Sequence, residues 1–140
     1  MADEKLMLTP YLSFNGNAAE AMRFHQLVIG GELKMETFED AKVSHRPGEK
    51  DRIIHATLRY GDFLLMTADE RIDMKVVFGD NINLSITSSD AERLTGIFNG
   101  LAKGGKVTMP LAKQFWGDTF GMLADKFGVH WMLSISAQPM

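Results

Sequence analysis

The sequence predicts an α+β fold built from two βαβββ modules. Three observations carry this expectation. Two runs with strand-like alternation each lead directly into a capped helix. Both helices stop at a Gly-Gly pair, Gly30-Gly31 and Gly104-Gly105, which lie 74 positions apart. Each stop is followed by a strand-like run and then by hairpin material. Shared order of elements, rather than residue identity, points to an internal repeat.

The first module opens with Leu8 to Phe14, where apolar and polar residues broadly alternate. Pro10 inside that run suggests an edge position or a bulge, since proline lacks the N–H a ladder needs. A helix is expected from Ala18 to Ile29, with Asn17 as its cap and Glu20 completing a box-like pattern. Ala18, Ala21, Met22, His25 and Val28 form its apolar stripe, with Phe24 and Leu27 beside it. Strands follow at Glu32 to Phe38, Ile53 to Tyr60 and Phe63 to Ala68, the last two turning at Gly61-Asp62.

The second module repeats the plan. A strand at Asn81 to Thr87 precedes a helix from Asp90 to Ala102, capped by Ser89 with Glu92 three residues on. Leu94, Ile97, Phe98 and Leu101 make its stripe. Strands are expected at Lys106 to Ala112, Phe115 to Ala124 and Val129 to Ser136, with a turn at Asp125-Lys126-Phe127-Gly128. The modules span about 6–68 and about 81–136, within one domain over residues 1–140. Two charged segments fall outside the pattern: Glu39 to Arg52, and Asp69 to Asp80 with its apolar Met74, Val76, Val77 and Phe78. The second reads either as a lid or as a satellite strand.

Composition narrows the function classes. Apolar residues at 45% and charged residues at 24% match an ordinary folded domain and exclude disorder. Net charge is −3, and basic and aromatic residues do not interleave, so nucleic acid is not an expected partner. The absence of cysteine excludes disulfides, thiolate metal sites and thiol nucleophiles. No apolar run approaches the ~18 residues of a membrane span. The opening Met1 to Lys5 is polar with no apolar h-region, so a signal peptide is not expected and the cytoplasm is.

Alternation assigns the strand faces. Leu8, Leu12 and Phe14, Ile54, Ala56, Leu58 and Tyr60, Ile82, Leu84 and Ile86, and Trp131, Leu133 and Ile135 suit the side under the helices. The opposite side then carries Thr9, Tyr11 and Ser13, His55, Thr57 and Arg59, Asn81, Asn83 and Ser85, and His130, Met132, Ser134 and Ser136. If the sheet curls, this side lines a cleft; if it stays flat, it is a solvated face.

Specific motifs add a resemblance. The run Thr9-Pro10-Tyr11-Leu12-Ser13-Phe14-Asn15-Gly16-Asn17 opens the chain. Gly104-Gly105-Lys106-Val107-Thr108-Met109-Pro110, Phe115-Trp116-Gly117, Phe120-Gly121 and Asp125-Lys126-Phe127-Gly128-Val129-His130-Trp131-Met132 follow. In order and spacing these resemble the PhnB-like family of the vicinal-oxygen-chelate superfamily, which includes glyoxalase I and bleomycin-resistance proteins. The resemblance covers nearly the whole chain. It implies the glyoxalase/bleomycin-resistance fold, with curved mixed-sheet half-barrels, and a homodimer. It also implies a divalent-metal site of His, Glu or Gln side chains, whose positions fall here on Tyr11, Leu65 or Met66, Asn81, and Met132. A phenol, an amide and thioethers hold such an ion poorly, so no metal and no cofactor are expected.

The candidate site residues are therefore Tyr11, His55, Arg59, Asn83, Ser85, Trp116, His130 and Met132. His55 and His130 can shuttle protons near neutrality, although strand histidines often serve only as hydrogen-bonding groups. Arg59 can grip a carboxylate or phosphate, or form a surface ion pair. Trp116 can stack on a planar ligand, or fill a core or dimer interface. Met35, Met66, Met109, Met122 and Met132 lie on expected strands, where thioethers give an adaptable apolar lining or fill core gaps. No phosphate-cradling glycine loop or methyl-donor loop is evident. The expected function is binding of a small molecule without the usual metal. A lyase, isomerase or group-transfer enzyme using His55 or His130 is the alternative, and a structural dimer module the third reading.

Overall fold

The computed structural model describes residues 4–140. The first half runs β1 (Tyr11–Phe14), α1 (Ala18–Ile29), β2 (Glu32–Thr37), β3 (Ile53–Tyr60) and β4 (Phe63–Asp69). The second runs β5 (Leu84–Ser88), α2 (Ala91–Ala102), β6 (Lys106–Lys113), β7 (Thr119–Ala124) and β8 (His130–Ile135). The chain divides into two compact units between Val76 and Val77, one for each βαβββ half. Each unit holds an open four-stranded mixed sheet, ordered β1-β4-β3-β2 and β5-β8-β7-β6. The first strand of each unit lies parallel to the last, and the other pairs are antiparallel. Among the described residues no helix is long and apolar enough to cross a membrane.

One face of each sheet is covered by its helix. In the first unit Ala18, Ala21, Met22 and Ile29 of α1 bury against Phe14, Ala56, Leu58 and Leu65. In the second, Leu94, Ile97, Phe98 and Leu101 of α2 bury with Leu123, Trp131 and Leu133. Each buried leucine removes enough apolar surface from water to contribute about 2 kcal/mol. A Cβ on Gly121 would meet the Phe98 ring at 2.8 Å, so glycine there lets α2 lie close to β7.

The glycine pairs end the helices as expected, and the second member of each has an added reason. A Cβ on Gly31 would run into the Arg59 carbonyl, and one on Gly105 into the Ala124 carbonyl. In both units the chain leaving the helix passes too close to the neighbouring hairpin for any side chain.

Several local expectations are corrected. β1 begins only at Tyr11, because Pro10 offers no N–H; its carbonyl still accepts from Met66 N–H at 3.1 Å. Leu8, assigned to the helix side, is fully exposed, and Tyr60 at the end of β3 is half exposed. β5 begins at Leu84, opposite Trp131, and leaves Asn81, Ile82 and Asn83 outside the strand. β7 begins at Thr119, since Phe115 to Gly117 form the β6–β7 turn, closed by Gln114 N–H to Asp118 O at 2.8 Å. Leu27 points to solvent, and Ile29 rather than Val28 completes the buried stripe.

Asn17 takes the N-cap position of α1 as expected, but its side chain does not do the capping, and α2 is capped one residue later than expected. Asn17 makes no side-chain cap bond. Instead Asp69, at the end of β4, accepts from Gly16 N–H (2.8 Å) and Ala18 N–H (3.0 Å) with Oδ1. Its Oδ2 accepts from Ile53 N–H at 2.9 Å. In α2 the cap is Asp90, not Ser89, and it accepts from Arg93 N–H at 3.1 Å.

The two unassigned segments of the first unit pack on each other. Glu49 is fully buried and ties them together. Its Oε1 accepts from Arg46 N–H (2.7 Å) and Arg71 Nη1 (3.2 Å), and its Oε2 from Ile72 N–H (2.8 Å). Those two backbone bonds, aided by Arg71, hold its carboxyl below the usual range against the opposing effect of burial. Arg71 also lies 4.7 Å over the Phe38 ring, and Arg46 pairs with Asp73. Asn15 pins Val76 on both sides, donating to its carbonyl (3.2 Å) and accepting from its N–H (2.8 Å). Of the two readings of this segment, lid or satellite strand, the strand does not form; the chain is held by side chains instead.

Candidate functional site

The face of each sheet opposite its helix is set by strand register. In the first unit Tyr11 stands beside Met66, and Met66 beside Thr57. Ser13 pairs with Ala68, and Arg59 with Leu64. Further out, Glu36, Lys34 and Glu32 stand opposite His55, Thr57 and Arg59. Paired residues share a face, so Tyr11, Ser13, His55, Thr57, Arg59 and Met66 are presented together.

The chemistry concentrates on Tyr11 and His55. The Tyr11 hydroxyl lies 3.2 Å from His55 Nδ1, with ring centroids 5.9 Å apart at 37°. With Nδ1 unprotonated, the phenol donates to it and leaves Nε2–H outward. Burial, and secondarily the charge of Glu70, pushes the Tyr11 phenol above its ordinary value. Tyr11 therefore remains a neutral donor at physiological pH, within hydrogen-bond reach of the His55 imidazole. Arg59 is exposed opposite Glu32, which itself pairs with Lys34 at 3.4 Å.

In the second unit Ser85 stands beside Met132, Met132 beside Met122, and Met122 beside Met109. Next along, Thr87, Ser134 and Phe120 share a row. On the other side His130 pairs with Ala124. Of the residues expected in the second module, Ser85, His130 and Met132 thus share a face. Asn83 lies ahead of β5, off the ladder. Trp116 sits in the β6–β7 turn, half exposed and edge-on to Phe115 (4.9 Å, 89°) and Phe120 (6.1 Å, 65°).

Register also tests the superfamily's metal positions. Of Leu65 and Met66, only Met66 shares a face with Tyr11, because Leu65 is buried under α1. Asn81 is off the strand, and the β5 residue beside Met132 is Ser85. The positions therefore hold a phenol and a thioether in one unit, a hydroxyl and a thioether in the other. This donor set does not fit a divalent ion, which needs carboxylate or imidazole oxygen and nitrogen. Among the described residues no three His, Asp or Glu side chains gather as metal ligands do.

Sequence reasoning missed three buried carboxylates. Asp69 and Glu49 are described above. Asp125 Oδ1 accepts from Phe127 N–H (2.9 Å) and Val129 N–H (3.1 Å), and its Oδ2 from Trp131 Nε1 (2.9 Å). All three hold the scaffold rather than face the open sheet. Asp125 alone carried a signal, as the first residue of a turn that ends three positions later at Gly128.

Comparison with known proteins follows the same geometry. A family model described as 3-demethylubiquinone-9 3-methyltransferase matches residues 6–134. The chain belongs to that PhnB-like family. It is 32% identical to protein YjdN of Escherichia coli (strain K12), over 94% of this chain and 96% of that one. The structure of protein PA1353 from Pseudomonas aeruginosa matches with a TM-score of 0.82 at 36% identity, covering 92% and 96% of the two chains. The PhnB protein from Bacillus cereus matches at 0.74 and 28%, covering 94% and 100%. A glyoxalase/bleomycin resistance protein/dioxygenase family enzyme from Burkholderia phytofirmans PsJN matches at 0.60 and 13%, covering 90% and 94%. The PhnB-like chain thus has the glyoxalase/bleomycin-resistance fold that its motifs implied.

Proposed function

We propose that this PhnB-like protein binds a small organic molecule on an open sheet face, without the superfamily's divalent metal. Both modules serve one domain, and the protein works as a cytoplasmic homodimer. The observation that carries the reading is the Tyr11–His55 pair, a neutral donor coupled to an imidazole beside the apolar Met66. A few polar groups on an apolar floor suit a modest ligand. Arg59, on the same face, suits an anionic group on that ligand. Ser85, His130 and Met132 share the corresponding open face of the second module, with Trp116 in its β6–β7 turn as a surface a planar group could stack on.

The methyl transfer in the family's description is not carried to this chain. The sequence offers no glycine-rich loop that could hold a methyl donor.

Equilibrium dialysis of the purified protein against metabolite pools, read by mass spectrometry, tests the proposal. A saturable ligand is expected, and Tyr11→Phe or His55→Ala is expected to weaken it at least about tenfold by removing a polar contact. Absence of any saturable ligand would overturn it. A second reading, proton-transfer catalysis, is favoured by the same 3.2 Å Tyr11–His55 contact. Turnover of the captured ligand by wild type and not by His55→Ala would select it. Sedimentation velocity tests the homodimer.

A further inference from the structure

We propose that the open face of the second unit's sheet carries a site for a soft monovalent cation, Cu(I), held by the thioethers of Met109, Met122 and Met132. Three neighbouring strands each place a methionine in the same row. Met109 of β6 is in register with Met122 of β7, and Met122 with Met132 of β8. Directly paired side chains have Cβ atoms about 5 Å apart, within reach of long unbranched thioethers. The row lies on the side away from α2, whose contacts fall on Leu123, Trp131 and Leu133 instead. Met122 and Met132 are half-buried and Met109 is more exposed, so an ion has a path in and a partly dry floor.

The surroundings select the kind of ion. The residues flanking the row by register are Ser85, Ser134, Phe120, Ala124 and His130, with no carboxylate among them. Hard cations find no partner on that set, whereas neutral thioethers favour soft Cu(I). His130 stands two residues from Met132 on the same strand and face, an imidazole that also suits copper. Lys106, paired with Ala124, marks the exposed end of the neighbouring row. Strand sequences favour β-branched and aromatic residues, so three aligned methionines are not explained by strand propensity.

The site uses Met132, which the small-molecule reading also names, but that reading rests on the Tyr11–His55 pair in the other unit. The test is an anaerobic titration of the full chain with Cu(I) against a chromogenic chelator. Ag(I) serves as a redox-inert substitute, followed by NMR of 13C-labelled methionine methyl groups. One equivalent is expected to bind and to shift the methyl signals of Met109, Met122 and Met132. Met22, buried on α1 in the other unit, is expected to stay unmoved. Met122→Leu, close in volume, is expected to keep the fold and lose at least tenfold in affinity. No stoichiometric binding, unmoved signals from the three methionines, or undiminished binding by Met122→Leu would overturn the proposal. Should Met122→Leu not fold, Met109→Leu on the exposed edge strand gives the same reading.

Discussion

In the first unit, the start of α1 is satisfied by Asp69, a residue at the far end of β4. In the second, α2 is satisfied by Asp90, the residue immediately before it. The buried aspartate of the second unit, Asp125, is used elsewhere, to hold a turn and the Trp131 indole. The hairpin loops differ as well. Between β2 and β3 the chain wraps around buried Glu49, whereas between β6 and β7 a short turn exposes Phe115 almost completely. One topology therefore tolerates either a remote or a local answer to the same need, the unpaired N–H groups at a helix start. The remote answer couples three elements through one carboxylate, and its loss should cost correspondingly more.

Asp69→Ala should have the largest effect, because it leaves three backbone donors without their acceptor. Urea unfolding should show a loss of about 4 kcal/mol. Gly105→Ala comes next, at about 2–3 kcal/mol, since the added methyl would press on the Ala124 carbonyl. Asp90→Ala should cost only about 1 kcal/mol, the usual effect of removing a local cap. Equal losses for Asp69→Ala and Asp90→Ala would break the contrast between the units. The fourth test is confined to acid. The Glu49 carboxyl titrates below its ordinary value of 4.5, so its contribution is present above that pH. It is lost as pH falls through the lowered folded value. Thermal melts of wild type and Glu49→Gln should therefore differ at neutrality and converge in acid.

Much of this architecture was legible from local pattern. The strand Ile53–Tyr60, the helix Ala18–Ile29 and the stripe of α2 appear where period and punctuation placed them. What escaped depends on contacts between distant residues. Asp69 looks like the start of a charged loop, and nothing near it announces that Gly16, Ala18 and Ile53 are its partners. Glu49 is equally silent in a hydrophilic stretch. For the site, alternation put Tyr11 and His55 on one face. Their contact follows from β1 and β3 both flanking β4, which is a property of topology. Trp116 was misplaced because an aromatic run before Gly117 resembles a strand until the turn is seen.

The bonds from Asp69 to Gly16 and Ala18 span 53 and 51 positions, whereas the cap of α2 spans 3. During synthesis on the ribosome, the second helix can secure its first turn as soon as it emerges. The first must wait until more than 50 further residues have been made, and until then its leading turn frays in water. A nascent fragment ending before β4 is complete thus lacks the carboxylate that completes the start of its first helix.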